Sequence, residues 1–225
     1  MLLSDFDFEL PEELIAIRPA SPRSSARLLM ARGDKIDDRL VSDLPKFLKP
    51  GDRLVLNDTK VLPVRMSGVR NRLFDGNKIA SANIEVTLLT KKKQRTWGAL
   101  IKPLRRIKLG EKIIFDKSFH AKLIDKTDGQ AVLQFNIEGT EFMKRLENLG
   151  IMPLPPYIAS KRPADERDNV DYQSVFARNS GSVAAPTASL HFDHDLLAEI
   201  DKIGVETSFV TLHVGAGTFM PVKDE

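Results

Sequence analysis

The sequence contains no cysteine among its 225 residues. This absence excludes disulfide scaffolds, cysteine nucleophiles, zinc ribbons and iron–sulfur clusters. Long apolar runs are also missing, since no stretch approaches the ~18 uninterrupted apolar residues of a membrane-spanning helix. The first residues, MLLSDFDFELPEEL, are acidic and lack the basic region and apolar core of a secretory signal. We therefore expect a cytoplasmic protein with no membrane partner.

A large excess of one charge is absent as well, because 34 Lys and Arg residues face 31 Asp and Glu residues, a formal net charge of +3. The cations are nevertheless unevenly distributed. Residues 60–112 carry +11 and the remainder carries −8. The basic residues of this stretch are Lys60, Arg65, Arg70, Arg72, Lys78, Lys91, Lys92, Lys93, Arg95, Lys102, Arg105, Arg106, Lys108 and Lys112. Such a division indicates that one part of the chain faces phosphate while another does different work.

The middle of the chain has a β-type pattern. Short apolar segments separated by turn residues are expected to form strands at 84–89, 96–101, 112–115, 121–124 and 131–135. Several short strands at regular spacing are typical of a small sandwich or barrel. A helix is then expected, with Thr140 as its N-cap and Gly150 at its end.

The pattern changes after this helix. The proline-rich segment 152–157 is expected to be an extended connector, because proline lacks an N–H donor and has a fixed φ. Asp193 is the expected N-cap of an amphipathic helix, and 207–214 the strand that follows it. We predict an α/β fold class. A larger α/β domain is built from both ends of the chain (1–63 and 153–225), with an inserted small antiparallel β-barrel domain (64–152).

Three short segments carry side chains suited to chemistry. In GSVAAPTASLHF (181–192), small residues let the backbone approach a ligand, and His191 offers a general acid or base. The alternative is a tight packing turn before a capped helix. In TLHVGAGTF (211–219), an expected buried strand containing His213 runs into a Gly-x-Gly turn. The segment Asn57-Asp58-Thr59-Lys60 follows a short strand, and its alternative is a plain Asx turn.

Several other site classes are disfavoured. Met220 and Pro221 follow the Gly-x-Gly turn where a dinucleotide-binding motif needs a third glycine and a helix. His191 and His194 lie near Asp193 and Asp195, but no HExxH motif or second pair exists, so no metal site is predicted. A G-x-S-x-G nucleophile motif and a Walker A loop are absent too.

The basic stretch predicts an RNA-backbone surface. Lys102, Arg105 and Arg106 lie close to Trp97 in the sequence, and a band of cations is what binding to phosphates requires. The alternative is an ordinary solvated barrel face.

Five groups of motifs occur in a fixed order along the chain. They are LPEELIA with PRSSARLL within 10–29, GDRLVLNDTKVLPVR at 51–65, LPPYI at 154–158, YQSVFA with GSVAAPTASLHF within 172–192, and VTLHVGAGTFMPV at 210–222. Together they make the sequence similar to the S-adenosylmethionine:tRNA ribosyltransferase-isomerase family of the bacterial queuosine pathway. The resemblance extends over nearly the whole chain.

The resemblance implies transfer of the ribosyl part of S-adenosylmethionine to the aminomethyl group of 7-aminomethyl-7-deazaguanine at the tRNA wobble position. The product is epoxyqueuosine in tRNA, and adenine and methionine are released. No metal or separate cofactor is implied, because S-adenosylmethionine is consumed as the ribosyl donor. The implied partners are S-adenosylmethionine and tRNA carrying that base, and we expect a monomer. The implied fold is again an α/β domain with an inserted barrel.

That chemistry needs a base for the ribose C5′ proton, acidified by the neighbouring sulfonium, and a donor that helps adenine leave. We expect His191 or His213 to fill one of these roles, and Asp58 and Asn57 to orient ribose hydroxyls or the amine. The expected catalytic residues are therefore His191, His213 and Asp58. The expected substrate contacts are Asn57, Thr59, Lys60, Ala185, Pro186, Thr187, Gly215 and Gly217, and the expected RNA contacts are Lys102, Arg105 and Arg106.

The sequence departs from the family pattern in three ways. Lys60 replaces the usual arginine, which keeps the charge but loses bidentate geometry, and Ser189 replaces a usual glycine. The family's later motifs, which resemble Thr-Asn-Phe-His-Leu-Pro and Phe-Ser-Tyr-Gly-Asp, have no counterpart before the last residue, Glu225. We expect either a fragment or a shortened chain, with apolar surface and a sheet edge left uncovered.

Two other functions remain open at this stage. One is a tRNA-binding remnant that no longer binds S-adenosylmethionine and is catalytically inactive. The other is a small-molecule nucleoside transferase that uses the same pocket without tRNA.

Overall fold

The computed structural model describes residues 2–74, 78–127 and 129–219. Within these ranges the chain forms twelve strands and four α-helices, joined by turns and short 3₁₀ helices. The strands are β1 (Arg27–Arg32), β2 (Lys35–Leu40), β3 (Arg53–Asn57), β4 (Thr59–Val61), β5 (Arg65–Phe74), β6 (Lys78–Lys93), β7 (Thr96–Lys102), β8 (Lys112–Ile114), β9 (His120–Thr127), β10 (Gln130–Phe135), β11 (Asn179–Ser182) and β12 (Glu206–Val210). The helices are α1 (Gly139–Leu149), α2 (Pro156–Ala159), α3 (Asp168–Asp171) and α4 (His194–Lys202).

Six strands close into an antiparallel barrel in the order β10-β7-β6-β5-β8-β9. Alternate residues of β6 face its interior, with Ile84, Val86 and Leu88 at most 1% exposed, as the two-residue period of a strand dictates. All five expected barrel strands are confirmed. The sixth, β5, was not predicted, because Arg65, Arg70 and other polar residues interrupt its apolar pattern.

Closure of the barrel depends on a close backbone approach at Gly68. A Cβ atom at this position would lie 2.7 Å from Ile113 Cγ2 and 2.9 Å from the Ile114 carbonyl oxygen. Only glycine therefore lets β5 come against β8, where Val69 and Ile114 are paired.

Aromatic side chains fill one end of the barrel, and α1 covers them. Phe142 of α1 makes an edge contact with Phe135 at 4.9 Å and stacks on Trp97 at 5.4 Å between ring centroids. Leu146, one turn further along α1, is completely buried. The end of α1 at Gly150 is confirmed, but the predicted N-cap is wrong: Glu138, and not Thr140, occupies that position.

Outside the barrel, two parallel strand pairs join distant parts of the chain. β3 pairs with β12, and β4 pairs with β11. Both ends of the sequence thus contribute to the mixed α/β region, as predicted. The predicted strand at 207–214 is too long, because β12 ends at Val210 and the following backbone bonds to side chains instead.

Helix α4 packs beside these strands on a small separate core. Leu196 and Ile200 of α4 meet Val41 and Val205, all at most 5% exposed. The predicted N-cap is confirmed, since Asp193 Oδ1 accepts a hydrogen bond from Leu196 N–H at 2.9 Å. An antiparallel hairpin of β1 and β2 lies nearby. The 3₁₀ helix at Val41–Phe47 contacts both β2 and α4, and so connects the hairpin to this core.

The proline-rich connector is only partly extended. Residues 152–155 lack regular structure, but Pro156 opens the short helix α2, a position where its missing N–H costs nothing. The division into two domains, 1–63 with 153–225 and 64–152, stays a prediction. Apolar residues of the β3–β12 pair are exposed, with Val55 at 58%, Phe209 at 39% and Val210 at 40%.

No helix in the described part of the chain is both long and apolar enough to cross a bilayer.

The barrel contains a bidentate ion pair whose contribution to stability can be measured. Arg72 donates from Nε and Nη2 to the two Glu111 carboxylate oxygens at 2.6 and 2.9 Å, and Lys108 N–H donates to Oε2 at 2.7 Å. The Arg72 bonds are the main cause that lowers the pKa of Glu111 to about 2.

We expect Glu111→Gln to lower the free energy of unfolding by about 1–2 kcal/mol at neutral pH. The loss is smaller than the pKa shift alone implies, because Arg72 is 35% exposed and solvent screens the pair. Since the folded pKa is depressed, this stabilisation exists above pH 4.5 and disappears as the pH falls toward about 2. Urea unfolding of both proteins across this range measures it. Glu147→Gln, on the exposed face of α1, is the control, and an equal loss in that variant would contradict the assignment.

Candidate functional site

A cluster of hydrogen-bonded polar side chains lies where the chain passes from β3 to β4. Asp58 is the single residue between these strands, so it marks the point where pairing changes from β12 to β11. Its N–H donates to the Val210 carbonyl at 3.0 Å, and its carbonyl accepts from Arg178 and Asn179 N–H at 2.8 and 3.2 Å. The backbone of Asp58 therefore ties both parallel pairs together.

The Asp58 side chain is buried and held on both oxygens. Thr211 Oγ1 donates to Oδ1 at 2.6 Å, and Asn179 Nδ2 donates to Oδ2 at 3.0 Å. The Thr211 hydrogen bond is the main cause that lowers the pKa of Asp58, and the nearby Arg178 guanidinium acts in the same direction. The group is an ionised, fully oriented carboxylate at neutral pH.

Asn57 extends the ladder beyond the end of β12. Its Oδ1 accepts from Leu212 N–H at 3.0 Å, and its Nδ2 donates to the Leu212 carbonyl at 2.9 Å. The same Oδ1 accepts from Thr59 N–H at 3.2 Å, the bond of an Asx turn. The Asn57 side-chain amide thus makes the two hydrogen bonds that the backbone of a neighbouring strand would make, and it positions the chain after β12.

His213 is positioned by two contacts. Its Nδ1 lies 2.7 Å from Oγ1 of Thr59, a residue with no solvent exposure. Its ring lies directly against Gly181, where a Cβ atom would be only 2.6 Å from Cε1 and Nε2. The sequence predicted a buried strand here, but His213 is exposed. The imidazole is therefore oriented at one nitrogen while its edge reaches solvent.

The loop carrying the small residues is locked to the His213 segment. Ser182 Oγ accepts from Val214 N–H at 2.9 Å and donates to the Ala184 carbonyl at 2.7 Å. Val183 N–H donates to the Val214 carbonyl at 2.9 Å. The two sequence motifs that contain these residues, 181–192 and 210–222, are thus neighbours in space, although residues 220–222 lie outside the described ranges.

The remaining expected substrate residues are spread over a wider surface. Ala185 and Pro186 are half-buried after the locked loop, and Thr187 is exposed at the start of a 3₁₀ helix, Thr187–His191. Gly215 and Gly217 have open space around them, since a Cβ at either would meet no atom within 4 Å. The structure does not bring these five residues into hydrogen-bond contact with the Asp58 cluster.

Lys60 and His191 also lie apart from that cluster's hydrogen bonds. Lys60 is exposed on β4, opposite Ser180. His191 is exposed and lines a different cavity, together with Arg18 and Tyr172. The two candidate histidines are therefore held by different elements, His213 by the β4–β11 pair and His191 by the 3₁₀ helix.

Sequence reasoning missed several residues that organise the site. Asn179 and Thr211 orient Asp58; Asn179 lies just before the 181–192 motif, and Thr211 is the first residue of the 211–219 motif but was given no role. The Gln173 side chain accepts a hydrogen bond from Val61 N–H at 2.9 Å and donates one to the Val61 carbonyl at 3.2 Å. It thus bonds to the backbone of β4 as a neighbouring strand would. These residues lie inside or beside the family-like motifs, and this position was the signal by which they could have been found. Residue type alone does not show that a residue's hydrogen-bond partner lies more than a hundred positions away in the sequence.

A buried charge cluster was missed as well. The Asp168 carboxylate has no solvent exposure and accepts from Arg18 at 2.9 Å and from Arg162 at 2.9 and 2.6 Å. Arg18 also pairs with Asp165 and Asp171. This cluster fastens the amino-terminal segment to the region around α3.

The expected RNA contacts lie on the barrel and are exposed. Lys102 ends β7, and Arg105 and Arg106 form the exposed part of a one-turn 3₁₀ helix. Arg105 lines a shallow depression together with Lys126. Trp97, which is close to these cations in the sequence, is not an exposed stacking surface, because it is 8% exposed and stacked on Phe142.

The basic stretch 60–112 also has fewer unpaired cations than its net charge of +11 indicates. Arg65 pairs with Glu85, Arg72 with Glu111 and Arg95 with Glu138. Arg70 is buried and donates to the carbonyl oxygens of Arg106 and Ala80. Several arginines of the +11 stretch are therefore structural.

Possible metal ligands are not clustered. Asp193, one of the acidic residues near His191, instead caps α4 and accepts Ser24 N–H at 3.1 Å. Over residues 2–74, 78–127 and 129–219, no group of three or more His, Cys, Asp or Glu side chains is placed to hold a metal ion.

Comparison with known proteins identifies the family. The family model described as "Queuosine biosynthesis protein" matches residues 3–225. The chain belongs to this queuosine biosynthesis family. The motifs that form the Asp58 and His213 cluster, at 51–65, 181–192 and 210–222, are among the stretches that carry this relationship.

Individual relatives are similar over the whole chain. It is 62% identical to a protein of Roseobacter denitrificans and 59% identical to one of Ruegeria sp., each named S-adenosylmethionine:tRNA ribosyltransferase-isomerase. Each match covers 100% of this chain and 64% of the relative. A solved S-adenosylmethionine tRNA ribosyltransferase from Thermotoga maritima is 27% identical, covering 95% of this chain and 59% of that one with a TM-score of 0.37. This superposition is weak, so the fold rests on the strand pairing described above.

The contact between Gly181 and His213 gives a direct test of the site. We expect Gly181→Ala to displace the imidazole, because its methyl group would lie 2.6 Å from ring atoms. The His213 side-chain resonances in NMR spectra should shift and the Thr59 contact should be lost. Gly98→Ala is the matched control, since its Cβ would meet nothing closer than 3.6 Å. Unchanged His213 resonances in Gly181→Ala would contradict the packing.

Proposed function

We propose that this chain carries out ribosyl transfer and isomerisation from S-adenosylmethionine to 7-aminomethyl-7-deazaguanine at the wobble position of tRNA. The products are epoxyqueuosine in tRNA, adenine and methionine. S-adenosylmethionine is consumed as a substrate, and no further cofactor takes part. The relatives' names and the family membership support this reaction class, and the chain spans about 64% of those relatives' length.

The observation that carries the proposal is the polar cluster around Asp58, at the junction of β3 and β4. Asn57, Asp58 and Thr59 come from one motif, and Thr211 and His213 come from another about 150 residues later. Thr211 Oγ1 donates to Asp58 at 2.6 Å, and Thr59 Oγ1 lies 2.7 Å from His213 Nδ1. Asn57 Nδ2 donates to the backbone carbonyl of Leu212, between those two residues, at 2.9 Å. A set of polar groups held this firmly is suited to orienting a substrate and moving a proton.

Within this cluster His213 is the proton-transfer group. Thr59 holds Nδ1, so we assign Nε2, which lies beside Gly181, as the nitrogen that takes the C5′ proton acidified by the neighbouring sulfonium. Asp58 does not compete for that proton, because both of its oxygens already accept hydrogen bonds and its pKa is lowered. Its role is to hold Thr211 and Asn179, and through them the chain that carries His213. The neutral loop 184–187 and the open glycines Gly215 and Gly217 contact the adenosyl group and ribose.

Histidine variants test these roles. We expect His213→Ala to lower the rate of adenine release by about 10²–10⁴-fold, the usual contribution of general acid–base catalysis. His191→Ala should raise KM for S-adenosylmethionine with a smaller effect on kcat. Adenine release with tRNA carrying the acceptor base is the measurement. His194→Ala, at the exposed start of α4, is the control. Near-normal rates in both His191→Ala and His213→Ala would disprove this part of the proposal.

The barrel supplies the tRNA surface in this proposal. Lys102, Arg105 and Arg106 are exposed and make no ion pair with other described residues. Lys126 lies across the depression lined by Arg105. These cations come from the end of β7, the 3₁₀ helix after it and β9, and we assign them to contact a phosphate backbone.

Charge removal tests the tRNA surface. We expect the double variant Arg105→Gln/Arg106→Gln to weaken tRNA binding and to reduce the salt dependence of log K by about two phosphate contacts. Binding titrations at several salt concentrations measure this change. Lys35→Gln/Lys202→Gln removes the same charge from exposed positions outside the barrel and should leave the slope unchanged. Unchanged tRNA binding and turnover in the arginine variant would favour a nucleoside transferase that does not use tRNA.

A second candidate is a tRNA-binding remnant without catalysis. The exposed barrel cations support it, since they do not depend on the junction of β3 and β4. Calorimetric titration of the 225-residue chain with S-adenosylmethionine separates the two candidates. Binding of S-adenosylmethionine supports the transferase, whereas salt-dependent tRNA binding without it supports the remnant. The cytoplasmic location and monomeric state stay predictions.

A further inference from the structure

A cavity of about 230 Å³ lies between the amino-terminal segment, helix α2 and the end of the 3₁₀ helix that carries His191. It is separate from the hydrogen bonds around Asp58, and none of Asn57, Asp58, Thr59 and His213 lines it. Its volume lies just below the ~300 Å³ lower end of pockets for drug-sized ligands. The space is suited to one compact ring system with a small substituent.

Aromatic groups surround this space. The chain has only two tyrosines, and both Tyr157 and Tyr172 line the cavity together with the His191 ring. Apolar walls from Ile17, Ile158 and Leu190 complete it. Flat aromatic faces with aliphatic surfaces between them bind planar heteroaromatic rings by stacking.

The cavity contains arginines, but they are already committed. Arg18 donates to Asp165, Asp168 and Asp171. Arg23 donates to the carbonyl oxygens of Val170 and Gln173. The charge of Arg18 is balanced by three carboxylates, and Nη1 and Nη2 of Arg23 already donate to carbonyl oxygens, so neither guanidinium is arranged as a dedicated phosphate or carboxylate clamp. The cavity is therefore built for an uncharged ring.

Polar atoms at the rim add directional contacts. Asp171 supplies carboxylate oxygens, of which one accepts from Arg18 at 3.3 Å, and Thr187 and His191 supply a hydroxyl and an imidazole. A carboxylate accepts hydrogen bonds from a ring N–H or an exocyclic amine. Burial raises the pKa of Tyr172, whereas Tyr157 is 55% exposed, so one wall of the cavity is buried and the other is open to an entering ring.

We propose that this cavity binds a neutral purine-type base, stacked between Tyr157 and Tyr172, with its amino group directed at Asp171. The inference rests on the proposed function, which supplies two sources of such a base: the adenosyl group of S-adenosylmethionine and the 7-deazaguanine of tRNA. His191 and Thr187 then contact the ring at the cavity mouth. His191 is thereby a specificity residue of a base pocket, and proton transfer at C5′ belongs to His213.

The two tyrosines allow a binding test that does not depend on turnover. The 225-residue chain labelled with 3-fluorotyrosine gives two ¹⁹F signals, which Tyr157→Phe and Tyr172→Phe assign. Adenosine and 7-deazaguanosine are titrated separately, with uridine as the single-ring comparison. We expect a purine nucleoside to shift both signals in a saturable way and uridine to bind about tenfold more weakly, because its ring has less surface to stack. The nucleoside that binds more tightly identifies the source of the base.

Two variants keep the result specific to the cavity. Ala20→Leu fills part of the cavity with an aliphatic side chain and should abolish the ¹⁹F shifts. Asp171→Asn should weaken purine binding about tenfold, because the contact with the amino group is lost, and should leave uridine binding unaffected. A 5-fluorotryptophan signal from Trp97, which is packed in the barrel, shows that the fold of each variant is intact and should not respond to nucleoside. Failure of both purines to shift either tyrosine, an equal response to uridine, or an unchanged response in a folded Ala20→Leu variant would overturn the inference.

Adenine release, measured in parallel, separates this inference from the proposed function. Turnover without any tyrosine response means that the reaction stands and the cavity is not the base pocket. Saturable purine binding in the cavity without turnover means that the pocket stands and the reaction assignment fails.

Discussion

The hydrogen bonds of Asp58 are the interaction on which the α/β part of the molecule depends. Two parallel pairs, β3–β12 and β4–β11, meet at this residue, and its backbone bonds to both partners. A parallel pair needs a long connection between its strands, so each pairing closes a loop of more than a hundred residues. The buried carboxylate offsets part of that entropy cost because Thr211 and Asn179 bond to it from the two returning segments. The same bonds fix the approach of His213, so structure and candidate chemistry share one anchor.

The barrel follows a different physical rule. Its six strands all lie within residues 65–135, its interior is filled by aliphatic and aromatic side chains, and α1 covers one end with Phe142 and Leu146. The acids Glu85, Glu111 and Glu138 neutralise arginines on its surface. Other cations are exposed, among them Lys102 at the end of β7, Arg105 and Arg106 after it, Lys126 on β9, and Lys91, Lys92 and Lys93 at the end of β6. The barrel thus joins a closed apolar interior to a positive exterior, and Val183 connects its core to the loop that carries the His213 contact.

Much of this architecture was predictable from local patterns. The alternation of apolar and polar residues in β6, β7, β9 and β10 predicted a barrel, and Asp193 predicted the start of α4. Both signals are readable from the sequence because two-residue periods and N-caps depend on neighbouring residues. The errors arose where distant contacts override the local pattern. β5 is a strand despite its charges because Gly68 lets it close against β8. The apolar residues after Val210 are not strand, because side chains of Asn57 and Ser182 take the hydrogen bonds that a neighbouring strand would otherwise supply.

Ordered motifs were enough to indicate the family, and residue counts were enough to show the uneven distribution of charge between the barrel and the ends of the chain. The chemical candidates were also visible as residue types, since they are imidazoles, carboxylates and glycines. Their grouping became clear from the folded structure. That structure joined His213 to Thr59, Gly181 and the Asp58 anchor, placed His191 in a separate aromatic cavity and stacked Trp97 on Phe142. The physical reason is that a hydrogen bond or a stacking contact depends on atoms a few ångströms apart in space, and residue order does not encode distances between segments that meet only after folding.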